Sequence, residues 1–194
     1  MTYALAGPVF PGLLKHAGAT WSQLVNHQYL TSQGIYGVAV GVVATYVFHF
    51  VLFGVLATRI GLGQLFLDVA SAIAGRYAGG PAKVSVISSG LMGTINGSGV
   101  ANVVTTGQFT IPLMKRFGYS SAFAGGVEAT SSMGGQIMPP VMGAVAFIMA
   151  ETINVPYVEV VKAATIPALL YFASAFWMVH LEAGRMGLHG LPKS

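Results

Sequence analysis

Charge is what this sequence has least of. Of its 194 residues only 7% are Asp, Glu, Lys or Arg, while 54% are hydrophobic. A soluble domain carries about a quarter charged residues. A water-exposed globule of this size is therefore excluded, and a polytopic α-helical membrane protein in a lipid bilayer remains. Cysteine is absent altogether, which removes disulfides and thiolate metal sites. The alternating segments of about ten residues that build a membrane β-barrel are missing too. The net charge of +4 is scattered between apolar runs, so it argues for no nucleic-acid partner and serves instead to mark orientation. The start, MTYALAGPVFPGLL, lacks the basic region and apolar core of a signal peptide. Residues 1–34 are expected to hold the tail of an earlier helix and a periplasmic connection, which would make the chain one part of something longer.

What is present is a series of long apolar runs. Ile35–Ala57 has 23 residues without a charge, and Arg59 follows; a transmembrane helix is expected over 35–58. In 61–79, Asp68 and Arg76 interrupt apolar residues at helical spacing, the pattern of an amphipathic helix lying at the interface. Val84–Met114 then runs for 31 residues without charge, long for one crossing. Asn96-Gly97-Ser98-Gly99 breaks its middle, and halves of about 18 and 22 Å fall short of a hydrocarbon core about 30 Å thick. Basic residues flank both ends, at Arg76, Lys83, Lys115 and Arg116. A re-entrant helical hairpin over 82–116 with its tip at 96–99 satisfies both facts; one straight, tilted helix is the alternative.

The next run, 120–151, breaks at MGGQIMPP, 133–140. Pro139 and Pro140 remove two backbone donors, and Gly134 and Gly135 tolerate unwinding. A discontinuous transmembrane helix is expected, its second half starting near Pro139, where proline suits a first turn; a proline kink is the plainer alternative. A final span covers 157–182, followed by a cytoplasmic tail over 183–194. With the Arg59 end inside, seven of the nine Lys and Arg residues fall on the cytoplasmic side and only Lys15 and Lys162 outside. That count puts the N-terminus outside and the C-terminus in the cytoplasm.

Irregular backbone at membrane depth survives only where protein or a water-filled cavity satisfies its polar groups. Two adjacent broken segments therefore imply a built site. Its side chains are uncharged oxygen donors: Thr94, Asn96, Ser98, Asn102, Thr105 and Thr106 in the first, Thr130, Ser131, Ser132 and Gln136 in the second. Such hard ligands suit Na⁺ better than a transition metal. Half-helix N-termini after Gly99 and near Pro139 offer N–H groups to a carboxylate. Paired discontinuous helices are the sequence pointer to secondary transporters. Asn96 and Ser98 also suit helix caps, and Ser131 and Ser132 could bond back to their own helix. Glu128 is expected to pair with Lys115 or Arg116, His49 to be an interior or interfacial histidine, and His180 to complement a helix C-terminus. The aromatic cluster Tyr171–Trp177 reads as lipid contact or packing.

The segments ISSGLMGTINGSGVANVVTTGQFTIPLMKRFGY and VEATSSMGGQIMPPVMGAVAFIMAE resemble the large membrane subunit of tripartite ATP-independent periplasmic (TRAP) transporters. With the later HLEAGRMGLHG they are similar to the fused permeases of the TAXI branch. The resemblance implies an all-α elevator permease driven by Na⁺ in the cell inner membrane, without any other cofactor. It implies partners too: a periplasmic substrate-binding protein that delivers an organic acid, and a small membrane subunit or its fused equivalent. In such families the hairpin tip and the following break hold an ion and one side of the substrate. The role carries over to Asn96, Gly97, Ser98, Asn102, Ser131, Ser132, Gly134 and Gly135 for Na⁺, and to Asn96, Ser98 and Gln136 for substrate. Such permeases pair two inverted repeats. The sequence holds one hairpin and one broken helix, so the chain is expected to be one repeat that does not transport without the second.

Other function classes fit the residues less well. An intramembrane serine protease needs Gly-x-Ser-Gly and a histidine base within reach; NGSG has asparagine first, and His49 and His180 fit the depth of Ser98 poorly. The G-x-G-x-x-N match to a dinucleotide loop lacks a preceding strand. A channel with a re-entrant hairpin remains the rival transport reading, and a truncated chain that inserts without transporting is a third.

Overall fold

The computed structural model describes residues 2–188; the end of the expected tail, including Lys193, lies outside them. The described residues are helical or irregular, with no strand among them. Two compact units divide the chain, Met1–Thr45 and Tyr46–Ser194. In the first, one helical turn at Thr2–Leu5 and two 3-10 turns precede a short helix, Trp21–Val25. Thr20 and Gln23 close a capping box at its start: each side-chain oxygen accepts from the other's backbone N–H.

Helix α1, Val38–Arg59, contains a π-helical turn at Val43–Val47. At 22 residues it reaches about 33 Å, enough to cross a bilayer. Phe48, Leu52, Phe53 and Leu56 stand exposed along it, as lipid-facing side chains do. Helix α2, Leu62–Ala74, is shorter than the expected 61–79, because a turn follows from Gly75. Leu67 and Ala70 of α2 pack with Val84 of the next helix, while Asp68 faces out and accepts from the Gln64 amide at 2.9 Å.

Helices α3, Gly80–Asn96, and α4, Gly99–Arg116, form the hairpin, with 17 and 18 residues. Their lengths, about 25 and 27 Å, stay below the bilayer core. Gly97 makes the turn at φ +56°, the left-handed region open to glycine. Ser98 restarts the chain as N-cap of α4, its Oγ accepting from the Ala101 N–H at 3.3 Å. Pro112 lies inside α4, near its end.

Helix α5, Ser121–Gly134, is followed by a 3-10 turn at Gly135–Ile137. Regular α-helix resumes as α6 at Ala144, running to Thr152. This corrects the start expected near Pro139. Neither proline has an N–H to give, and Met142 turns the chain through φ +55°, so consecutive donors begin only beyond Gly143. The interruption is tied down at both ends: Gly143 N–H donates to the Gln136 carbonyl at 2.7 Å. The Tyr157 hydroxyl lies 2.9 and 2.6 Å from the freed carbonyls of Pro140 and Val141. Helix α7, Tyr157–Arg185, has 29 residues and extends past the expected end at 182. Among the described residues it is the second helix long and apolar enough to cross a membrane. Around the hairpin base, Ala82, Val86, Met114, Tyr119, Val127 and Val179 form the main apolar cluster.

Candidate substrate and ion site

The hairpin tip meets the break in the α5–α6 segment. A Cβ built on Gly97 would overlap the Met142 carbonyl, so only glycine allows this approach. Deeper down, Gly93 and Gly135 touch backbone to backbone, and a Cβ on either would fall against the other. At the tip, Asn96 Oδ1 accepts from the Ser98 N–H at 3.1 Å. Gln136 Nε2 lies 3.4 Å from the Met133 sulfur, a weak bond, and its amide oxygen is uncommitted among the described residues.

Beside this junction lies a cavity of about 410 Å³, bordered by Asn96, Gly97, Ser98, Gln136, Gly143 and Ala144. Four helix ends border it. The C-terminus of α3 and the 3-10 turn after α5 bring carbonyl ends; the starts of α4 and α6 bring N–H ends. At the start of α4 Ser98 accepts from the Ala101 N–H on its Oγ and from the Asn102 N–H on its carbonyl, while Gly143 brings no side-chain cap to α6 and accepts only through its carbonyl, from Ala146 N–H. One cavity thus carries partial negative charge for a cation and partial positive charge for an anion. Phe50 and Phe147 add an apolar wall, their rings stacked at 5.3 Å.

Of the residues singled out in the sequence, Asn96, Gly97, Ser98 and Gln136 come together at this cavity. The others fall elsewhere. Asn102 is fully buried and its amide donates to the Ser89 carbonyl at 2.8 Å, joining α4 to α3. Gly134 lies under the Tyr171 ring and Gly135 against Gly93. Ser131 Oγ is buried and has no partner among the described residues; it borders a separate groove between α5 and α7. Ser132 turns to Glu128.

Glu128 corrects the sequence reading most. It pairs with neither Lys115 nor Arg116, and no basic nitrogen among the described residues forms an ion pair with it. Its carboxylate is 0% exposed and accepts from five hydroxyls instead. Oε2 takes Ser85 at 2.7 Å and Thr110 at 2.5 Å. Oε1 takes Thr106 at 2.5 Å, Ser132 at 2.9 Å and Ser89 at 3.3 Å. Three helices meet on one side chain. The signal was present in the sequence as three polar pairs four residues apart: Ser85 and Ser89, Thr106 and Thr110, Glu128 and Ser132. Each pair lies on one helical face. His180 also departs from expectation, its Nδ1 standing 3.0 Å from the buried Lys83 ammonium.

The model of the family described as tripartite ATP-independent periplasmic transporter, DctM component, matches residues 1–194. The chain belongs to this family. Among curated relatives, the uncharacterized protein y4mL of Sinorhizobium fredii is 32% identical over 138 residues, 70% of this chain and 32% of that protein. The C4-dicarboxylate TRAP transporter large permease protein DctM of Pseudomonas aeruginosa is 28% identical over 74% of this chain and 33% of its own length. The sialic acid TRAP transporter permease protein SiaT of Haemophilus influenzae is 28% identical over 75% of this chain and 23% of its own. The matched stretches thus span about a third or less of these relatives.

Proposed function

We propose that this chain supplies one ion- and substrate-binding half of a Na⁺-coupled TRAP permease that imports an organic acid. The observation that carries this reading is the tip cavity, where two helix C-termini and two helix N-termini border one space. Carbonyl ends with Asn96 and Ser98 suit Na⁺; N–H ends with the Gln136 amide suit a carboxylate. Family relatives named for C4-dicarboxylates and for sialic acid are named for carboxylate-bearing molecules, which supports the anion assignment. The site is not enzymatic: it binds and releases.

The rest of the assembly follows from that role. A second, inverted repeat closes the cavity from the other side, a periplasmic binding protein delivers the acid, and a small membrane subunit or its fused equivalent holds the permease in the inner membrane. The hairpin dips into the bilayer and returns, because its arms are too short to cross. The basic residues around both hairpin ends and Arg185 support a C-terminal side in the cytoplasm. Glycine-to-glycine contact binds hairpin and broken helix into one body, as an elevator movement of the whole site needs.

The test is Na⁺-dependent uptake by the assembled permease with its binding protein in proteoliposomes. Ser98→Ala and Gln136→Ala are expected to raise the half-saturating Na⁺ or substrate concentration about tenfold, the loss of one good ligand. Wild-type Na⁺ dependence and affinity in both variants would refute the assignment. Ion conductance without substrate or binding protein would favour a channel instead.

A further inference from the structure

We propose that the groove between α5 and α7 seats a phosphatidylethanolamine molecule from the bilayer leaflet at the hairpin base. The groove has a volume of about 830 Å³ and shares no residue with the tip cavity. Phe123 and Val127 of α5 and Met178 and Val179 of α7 give it apolar walls. Its room comes from Gly126, where an added Cβ would meet nothing within 4 Å.

The polar groups sort to the two ends. The helices run antiparallel: Tyr119, just before α5, lies near Ala183, and Thr130 lies beside Tyr171. From Ser120 to Thr130 the chain rises about 15 Å, the depth of one leaflet in a hydrocarbon core about 30 Å thick. At the inner end, polar groups turn away from the groove. The Tyr171 hydroxyl donates to the Thr130 carbonyl at 2.8 Å and that of Ser174 to the Tyr171 carbonyl at 2.7 Å. The Ser131 hydroxyl is itself buried. That end suits hydrocarbon.

The outer end carries both signs of charge. Arg185 donates to Glu182 Oε1 at 2.7 Å, and its side chain is 77% exposed. A guanidinium has five N–H donors, so this pairing leaves Arg185 able to hold a phosphate as well. The start of α5 faces the same end. Ser120 takes the N–H groups of Phe123 and Ala124. Those of Ser121 and Ala122 have no partner among the described residues and suit an anion. Glu182 keeps a second carboxylate oxygen for a cation. A phosphate joined to a primary ammonium, above two acyl chains, matches guanidinium, carboxylate and apolar walls together. A free phosphate would leave the walls uncovered, and an apolar helix from another protein would cover the charged pair without answering it.

The experiment is native mass spectrometry of this chain released from detergent, offered phosphatidylethanolamine, phosphatidylcholine and phosphatidylglycerol with identical acyl chains. It uses neither sodium nor transport, so its result stands apart from what the tip cavity binds. The wild type is expected to retain phosphatidylethanolamine about tenfold better than the other two, which lack an ammonium N–H for Glu182. Gly126→Leu fills the groove with a better helix former and should lower that retention at least tenfold. Glu182→Gln should still hold phospholipid but lose the preference for ethanolamine over choline. If Gly126→Leu does not fold, the Glu182→Gln result alone decides. A wild type that retains no phospholipid, or all three equally, overturns the proposal. So does undiminished retention in Gly126→Leu or an undiminished preference in Glu182→Gln.

Discussion

The Thr110 hydroxyl on α4 and the Glu128 carboxylate on α5 lie 2.5 Å apart, joining the second arm of the hairpin to the helix that breaks at its tip. Ser85 reaches the same carboxylate oxygen from the first arm at 2.7 Å. The hairpin and the broken helix are therefore fastened at three heights: by this carboxylate midway, by the Gly93–Gly135 backbone contact nearer the tip, and by Gly97 against the Met142 carbonyl at the tip. Helices without a hydrophobic drive to associate in lipid depend on such close packing and interhelical hydrogen bonds.

Removing the lower fastening should be costly. In Glu128→Ala, Thr106 and Thr110 can return to carbonyls of their own helix, but Ser85 and Ser132 lose the carboxylate that accepts from them, and a cavity opens. Buried hydroxyls without partners cost about 1–3 kcal/mol each, so a loss of about 3 kcal/mol or more is expected. Glu128→Gln keeps an acceptor oxygen and should lose about half of that. Thermal unfolding in detergent, followed by circular dichroism, measures both. Equal stability of the alanine variant and the wild type would show that the cage carries no fold energy.

The upper junction gives a sharper outcome. Gly97→Ala must hold a side chain at φ +56°, which costs about 1–2 kcal/mol. Its Cβ must also displace the Met142 carbonyl, which is backbone and cannot swing aside. The tip should lift off the break, and protease cleavage between residues 135 and 143 should become faster than in the wild type. Transport by the assembled permease should fall at least tenfold. An unchanged cleavage rate would mean that the Gly97–Met142 contact does not hold the tip against the break.

Much of this arrangement is legible in the residues. The near-absence of charge and the long apolar runs indicate an all-helical membrane protein, and Asn96-Gly97-Ser98 declares a helix end and a new cap by residue type alone. Two features are not legible. Pro139 and Pro140 favour a helix start by propensity, yet the helix waits until Ala144, because Met142 first turns the backbone to meet Gly97. That contact is tertiary, and no local rule contains it. For Glu128, the nearby bases Lys115 and Arg116 suggest an ion pair that does not form. The three pairs of polar residues at four-residue spacing that close around it become meaningful only when their faces are set opposite one another.

Tyr119, between α4 and α5, supplies a test of pH dependence. It is buried in the apolar cluster at the hairpin base, and its hydroxyl has no partner among the described residues. Burial, and next the Glu182 carboxylate, push its ionisation above the ordinary value of 10.0. Above that pH the unfolded chain releases the proton while the folded chain keeps it. Its contribution to stability is therefore intact below pH 10 and declines as pH rises toward the folded value. Tyr119→Phe should flatten the alkaline loss of thermal stability. Near neutrality it should be neutral or stabilising by about 1 kcal/mol, because an orphan hydroxyl has gone. A variant as alkali-sensitive as the wild type would assign that loss to another group.

Ser98 separates capping from ion binding. As N-cap of α4 its Oγ accepts from Ala101 N–H, and losing a cap costs about 1 kcal/mol whether or not sodium is present. If Ser98 also touches Na⁺ at the tip cavity, sodium should protect the wild type against heat more than it protects Ser98→Ala. Ser98→Thr keeps a hydroxyl in the same place and should restore both the cap and the protection. The comparison is the rise in unfolding temperature on replacing choline chloride with sodium chloride at equal ionic strength, for the wild type and both variants. Equal sodium protection in the wild type and Ser98→Ala would leave Ser98 a cap and nothing more. Protection lost in alanine and regained in threonine would make the hydroxyl a ligand as well as a cap.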